Sequence, residues 1–179
     1  CPSTLSASSL SPAPILIPIK TEDPTESPIA KEIITNKDPD FFTLRNTINQ
    51  EVLPSTRTPR VSGDGLVQIW SNGTTVFAEW QGGAETVPEF FCSDDGSCDK
   101  TKEVLTTTDQ IRDLDFYKNT NNVLLAAFSN GVFALEIDTR GGTQNFQPIY
   151  KGTANPRFKR IDSETVHILD GGALFVIDL

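Results

Sequence analysis

After residue 60 the apolar positions fall into short runs of five or six residues, broken by polar turn residues. Leu66 to Trp70 and Thr75 to Trp80 flank Ser71-Asn72-Gly73, Val123 to Phe128 and Val132 to Ile137 flank Ser129-Asn130-Gly131, and Thr165 to Leu169 and Ala173 to Ile177 flank Asp170-Gly171-Gly172. Each reads as a β-hairpin, because type I′ turns need positive φ at both central residues and Gly and Asn accept it most readily. Ile111 to Tyr117 and Arg157 to Ile161 are predicted strands ahead of the second and third hairpins, and Gln147 to Tyr150 one behind the second. The unit is therefore strand, hairpin, strand, and it occurs three times. Gly131 and Gly172 are 41 residues apart, within the range of about 40 to 45 residues for a propeller blade. Gly73 and Gly131 are 58 apart, the excess falling in the Cys-containing loop around residues 92 to 100.

Before residue 60 the pattern is different. Nine of the 12 Pro lie at or before Pro59, all 12 Gly at or after Gly63, and 13 of the 15 aromatic residues beyond residue 60. This predicts an extended Pro/Ser/Thr-rich arm over 1–60 and a β-repeat domain over 61–179. Residues 2–14 are too poor in bulky apolar side chains to offset the cost of ordering the backbone. Within the arm, Ile15, Ile17 and Ile19 alternate with Leu16 and Pro18, the period of a strand with one apolar face, and its prolines restrict it to an edge. Residues 41–53 could form a short helix behind Asp38 or Asp40, but their β-branched content favours strand or irregular packing.

The 179 residues carry 15 Lys plus Arg against 24 Asp plus Glu, a formal charge of -9. This sets aside nucleic acid, which needs counterion-releasing cations, and anionic lipid surfaces. No apolar run reaches the roughly 18 residues of a spanning helix. The chain has no Met, so the first residue is expected to follow a processed or trimmed start. The fold class expected is all-β, a propeller-like array of about three short antiparallel blades.

The segments FFCSDDGSC, IRDLDFYKNTNNVLLAAFSNGVFALEIDTRGG, FQPIYKG, NPRFK and DGGALFVIDL resemble WD40-like β-propeller repeats of bacterial envelope surface proteins, some of which carry PEGA domains. The likeness covers about two-thirds of the chain. It implies a scaffold fold and a surface location and assigns no catalytic residue. Three units are fewer than the four to eight blades of closed propellers, so neighbouring blades must come from further sequence, another chain or the arm.

Cys92 and Cys98 bracket the turn-forming Ser93 to Ser97 and are expected to form a disulfide, which places the protein outside the cytosol; two exposed thiols are the alternative. Cys1, followed by a Ser/Pro tract, has the order of a lipid-bearing mature lipoprotein terminus, the only route here to membrane attachment. A trimmed chain end or an intermolecular disulfide would also account for it. Asp94, Asp95 and Asp99 lack the alternate spacing of a calcium loop and read as solvated turn residues. Asn72-Gly73-Thr74 fits a glycosylation triplet, but Asn72 is already explained by its turn. His167 stands on the strand face opposite Val166 and Ile168 with no accompanying metal ligands. Asp113 and Asp115 share one strand face and read as the outward polar side of a blade, and Trp70, Trp80, Tyr117 and Tyr150 as packing between blades. Neither a P-loop nor a nucleophile elbow occurs. No catalytic residue, cofactor or metal site is assigned.

The expected function is non-catalytic and extracellular or envelope-bound. Ala173, Leu174, Phe175, Val176 and Ile177 form the last strand and would leave an apolar edge open. An edge of that kind templates aggregation unless covered, and Ile15, Leu16, Ile17 and Ile19 are the candidate cover, folding back or crossing into a neighbour to build a homo-oligomer or filament. A tethered propeller binding a peptide or glycan is the alternative, and part of a larger secreted enzyme a second.

Overall fold

A computed structural model describes residues 32–34, 59–142, 144–153 and 155–179. These form twelve β-strands in three antiparallel four-stranded sheets, with no α-helix among the described residues. The first sheet runs β2 (Arg60–Val61), β3 (Val67–Ser71), β4 (Thr75–Trp80) and β5 (Thr101–Thr106). The second runs β6 (Asp113–Phe116), β7 (Val123–Phe128), β8 (Gly131–Glu136) and β9 (Phe146–Lys151). The third begins with β10 (Arg157–Arg160), β11 (Thr165–Asp170) and β12 (Ala173–Asp178). Its fourth strand is β1 (Glu32–Ile34), from the arm.

All three hairpins occur, though two of their turns are built differently. Gly171 and Gly172 both have positive φ, 56° and 87°, as a type I′ turn requires. Between β7 and β8, Phe128 pairs with Gly131, so the turn is Ser129-Asn130 alone, and neither residue has positive φ. Gly131 is needed for a different reason: a β-carbon there would collide with the Tyr150 carbonyl oxygen of β9. The glycine permits close backbone approach between strands rather than a left-handed turn.

The second sheet is sandwiched, and β7 shows why its sequence is apolar at nearly every position. Leu124, Ala126 and Phe128 face the first sheet and join Val67, Ile69, Val76, Phe91, Ile111 and Phe116 in one buried cluster. Leu125 and Ala127 face the third sheet and pack with Phe158, Val166, Ile168 and Ile177 in another. A strand covered on both faces loses the alternation that marks a half-exposed one. Trp80 closes the first cluster, its indole N–H donating to the Gly83 carbonyl at 3.1 Å. Trp70 instead stacks on Phe77, ring centroids 5.6 Å apart, and both are half-buried. Their register puts them on the face opposite Ile69 and Ala78, so Trp70 does not pack between the sheets.

Candidate functional site

The last strand's edge is not open. Leu174, Phe175 and Val176 pair antiparallel with Ile34, Ile33 and Glu32, so the apolar strand of Ala173, Leu174, Phe175, Val176 and Ile177, expected to need a cover, is covered in part by another segment of the arm than the one named for it. The covering strand is Glu32–Ile34, elsewhere in the extended arm than the 15–19 segment named for that role. The proposed strand of Ile15, Leu16, Ile17 and Ile19, the 41–53 segment and Cys1 all lie outside the described residues. Two adjacent isoleucines suit Glu32–Ile34 to extended backbone. The strand therefore also draws part of the arm into the folded region.

The three sheet edges differ in chemistry. β5 carries Lys102 and Glu103, and β9 carries Pro148 and Lys151, residues that blunt an edge by charge or by the missing N–H. β12 has neither Pro nor a basic residue and is apolar from Ala173 through Ile177. Only this edge requires a covering strand, and it is the one that the arm covers.

A second feature lies where the leading strands meet. Arg60 of β2, Asp113 and Asp115 of β6, and Lys159 and Arg160 of β10 line one polar cleft. Asp113 accepts from Arg157 Nε and Nη2, both at 2.5 Å, and from the Phe158 backbone N–H at 3.0 Å. The two side chains are only 12% and 13% exposed. Arg160 stands 3.6 Å from Asp115 and donates to the Lys118 carbonyl. Asp113 and Asp115 thus do share one strand face, but it is turned to the third sheet, which corrects their reading as an outward polar face. Desolvating a carboxylate this far requires a geometrically matched cation. Arg157 and Arg160 supply it. Sequence reasoning missed them because their spacing does not follow the two-residue period of a strand face.

The third feature is the disulfide loop. Cys92 and Cys98 are bonded, with Cα atoms 4.0 Å apart. Ser93 N–H donates to the Ser97 carbonyl at 2.8 Å, and the Asp95 carboxylate receives the Ser97 N–H and hydroxyl. Those hydrogen bonds hold the Asp95 carboxyl below its ordinary pKa. The loop is docked on the second sheet. Asp94 receives the Gly141 N–H at 2.9 Å, and Arg140 bridges Glu89 at 2.7 Å and Asp138 at 2.6 Å. Hydrogen bonds from Arg140 lower Asp138 to about 2 and raise Arg140. Lys102 donates to the carbonyls of Phe90 and Cys92, and burial lowers its pKa. Asp94 and Asp95 act as loop fasteners.

Two clefts remain. One, of about 310 Å³, is lined by Phe128, Phe133 and Phe146 with Thr107, Asp109 and Asn130 at its rim. Phe133 and Phe146 stack at 4.7 Å, and Phe146 is 42% exposed. Asp109 fixes the neighbouring turn by accepting from Ser129, which lowers its pKa. The other, of about 240 Å³, is mainly apolar and is lined by Tyr117, Val123, Ala134 and Ile149 with Glu136. Tyr150 donates to Asp170 at 3.0 Å, and burial with that carboxylate raises its pKa. His167 stands half-buried opposite Lys159 and Val176 in the third sheet. No family model, curated protein or solved structure matches the chain.

Proposed function

We propose that the chain is a non-catalytic protein of the cell surface or envelope. In this reading its N-terminal arm completes the third sheet of a neighbouring subunit and so builds a homo-oligomer or filament. The observation that carries this is the pairing of Glu32–Ile34 with β12, the outer strand that has no proline or basic residue and is apolar from Ala173 through Ile177. A strand added to a sheet edge is held by main-chain hydrogen bonds that any copy of the same arm can make, and exchange of an identical element is a low-cost route to assembly. The Cys92–Cys98 bond fits an oxidising compartment. Three sheets converging on their leading strands are what a propeller-like array requires, and they are too few for a closed ring, which leaves room for further blades from another copy. Lipid on Cys1 would supply the tether. Light scattering of the full chain and of a variant lacking 1–34 tests the reading: the full chain should form oligomers and the variant should not. Unchanged oligomers without the arm would sink it.

A second reading, an envelope-tethered propeller that binds a peptide or glycan, is favoured by the cleft of Phe128, Phe133 and Phe146, where an exposed ring faces a polar rim. Aromatic faces with nearby hydroxyl and amide groups suit sugar rings or apolar side chains. Titration with a glycan panel, monitored at Phe146→Ala, separates it from the first.

A further inference from the structure

We infer that the far face of the first sheet, centred on Trp70 and Phe77, is a docking surface for the same face of a second copy of this chain. The inference goes beyond the arm-exchange reading and does not rest on it. It follows from the register of the three hairpins. Counted from the turn, the third cross-strand pair is Ala126–Phe133 in the second sheet and Ile168–Phe175 in the third. Ala126 and Phe133 pack into the seam with the first sheet, and Ile168 and Phe175 into the seam with the second. In the first sheet the Asn72 N–H donates to the Thr75 carbonyl at 3.1 Å and closes the turn, so the third pair is Trp70–Phe77. The bulge opposite Val76 and Phe77 recurs opposite Val132 and Phe133, which fixes the same alignment. Trp70 and Phe77 thus hold the positions that in the other two sheets pack onto the preceding sheet. Among the described residues no sheet precedes the first.

The rest of the face matches that role. Val61 shares it through its pairing with Gln68 and is 53% exposed. The Gln81 N–H donates to the Leu66 carbonyl, which extends the β3–β4 ladder by one pair, so alternation brings Leu66, 39% exposed, to the same side. With the stacked rings these form an apolar patch of the kind that marks an interaction surface. The opposite end of the stack is not free to receive it, because Leu169 and Leu174, the second pair of the third sheet, are already buried within one chain. What a second copy offers is the same patch, and a self-matched patch closes as a two-fold dimer. A two-fold axis along the strands, midway between β3 and β4, lays Trp70 on the partner's Phe77 and Gln68 on the partner's Glu79, since each of these is a cross-strand pair of one sheet. Rings then meet rings, and an amide N–H meets a carboxylate. Four strands about 4.8 Å apart and about five residues long span roughly 19 by 17 Å. So small a patch makes a weak, concentration-dependent dimer.

Sedimentation velocity of the full chain over a range of concentrations tests it. The wild-type chain should associate as concentration rises. Trp70→Ser, at a position outside both buried clusters, should weaken that association by roughly tenfold or more, the usual cost of truncating a central aromatic anchor. Gln68→Glu should weaken it and Gln68→Lys should tighten it, by repelling or attracting the partner's Glu79. Hydrogen exchange on each variant checks that the sheets are intact, and if Trp70→Ser unfolds the two Gln68 variants carry the test. A folded Trp70→Ser that associates like the wild type, Gln68 variants that fail to move association in opposite directions, or a full chain that stays monomeric would overturn the inference. The variant lacking 1–34 separates it from strand exchange. Oligomers lost without 1–34 but kept in Trp70→Ser leave only the arm, whereas Trp70-dependent association that survives without 1–34 leaves only the face.

Discussion

The two seams of the molecule are built on different principles. Between the first and second sheets fifteen buried residues form one apolar cluster, and the disulfide loop fastens its outer end. Among the described residues, seven buried ones do so between the second and third sheets, joined by the Asp113–Arg157 and Asp115–Arg160 pairs and by Tyr150 on Asp170. Apolar burial is non-directional and scales with area, whereas a desolvated ion pair contributes little net stability and fixes one geometry. The first seam therefore supplies cohesion and the second supplies register. The third sheet is also the one whose fourth strand comes from the arm, so the ion-paired seam and the arm-completed edge belong to the same element.

The largest effect is expected in the first seam. Phe116 is 1% exposed there, and Phe116→Ala should cost about 3 to 5 kcal/mol, read by denaturant unfolding. Hydrogen exchange should accelerate across Val67–Ser71 and Val123–Phe128 together. Exchange that rises first in Thr165–Asp170 would break the comparison by placing the main cohesion in the other seam. Next comes the ion pair. Asp113→Ala leaves Arg157 desolvated without its bidentate acceptor and should cost about 3 kcal/mol, while Asp113→Leu with Arg157→Leu should recover most of that loss. If the double variant is as unstable as the single one, the pair contributes cohesion and not merely register.

The disulfide ranks third. A loop closed over six residues of separation removes little unfolded-state entropy, so Cys92→Ser with Cys98→Ser should cost about 2 kcal/mol at most. The loss should be confined to the loop and to Glu89–Phe91, as seen by hydrogen exchange.

How far the sequence foretold this depends on where each element's information resides. The hairpins of β3–β4, β7–β8 and β11–β12 were legible because alternation and turn residues are local signals. The Cys92–Cys98 bond was legible from its short polar loop. β5 was not, because Lys102 and Glu103 give it the look of a polar loop, and only pairing with β4 makes it a strand. β1 was invisible for the same reason in sharper form: three residues in a Pro-rich tract become a strand only because β12 offers an unprotected edge. Gly131 was assigned to a turn when its reason is a neighbouring strand's carbonyl. The partners of Asp113 and Asp115 were hidden because they sit 44 and 45 residues away in another sheet. Each miss is a long-range contact that overrides a local reading.

The smallest expected effect is on pH, and it tests whether the first seam's loop clamp is electrostatic. Asp138 titrates at about 2 in the folded protein against 3.8 as the ordinary value, chiefly because Arg140 hydrogen-bonds its carboxylate. A folded-state pKa below the unfolded one stabilises fully above the unfolded value and is lost as pH falls through the folded one. The clamp should therefore be intact above pH 3.8 and weaken from there down to about 2. With the two side chains 30% and 31% exposed, solvent screens the pair, and its contribution to global stability should stay below about 1 kcal/mol. The local signal is clearer. The Arg140 Nε–H resonance, which reports the bond to Asp138 Oδ1 at 3.0 Å, should shift with a midpoint near 2 in the wild-type chain, and that titration should vanish in Asp138→Asn while Cys92–Cys98 stays intact. A midpoint at 3.8 would mean that Arg140 does not hold Asp138, leaving the disulfide, Asp94 and Lys102 to dock the loop without it.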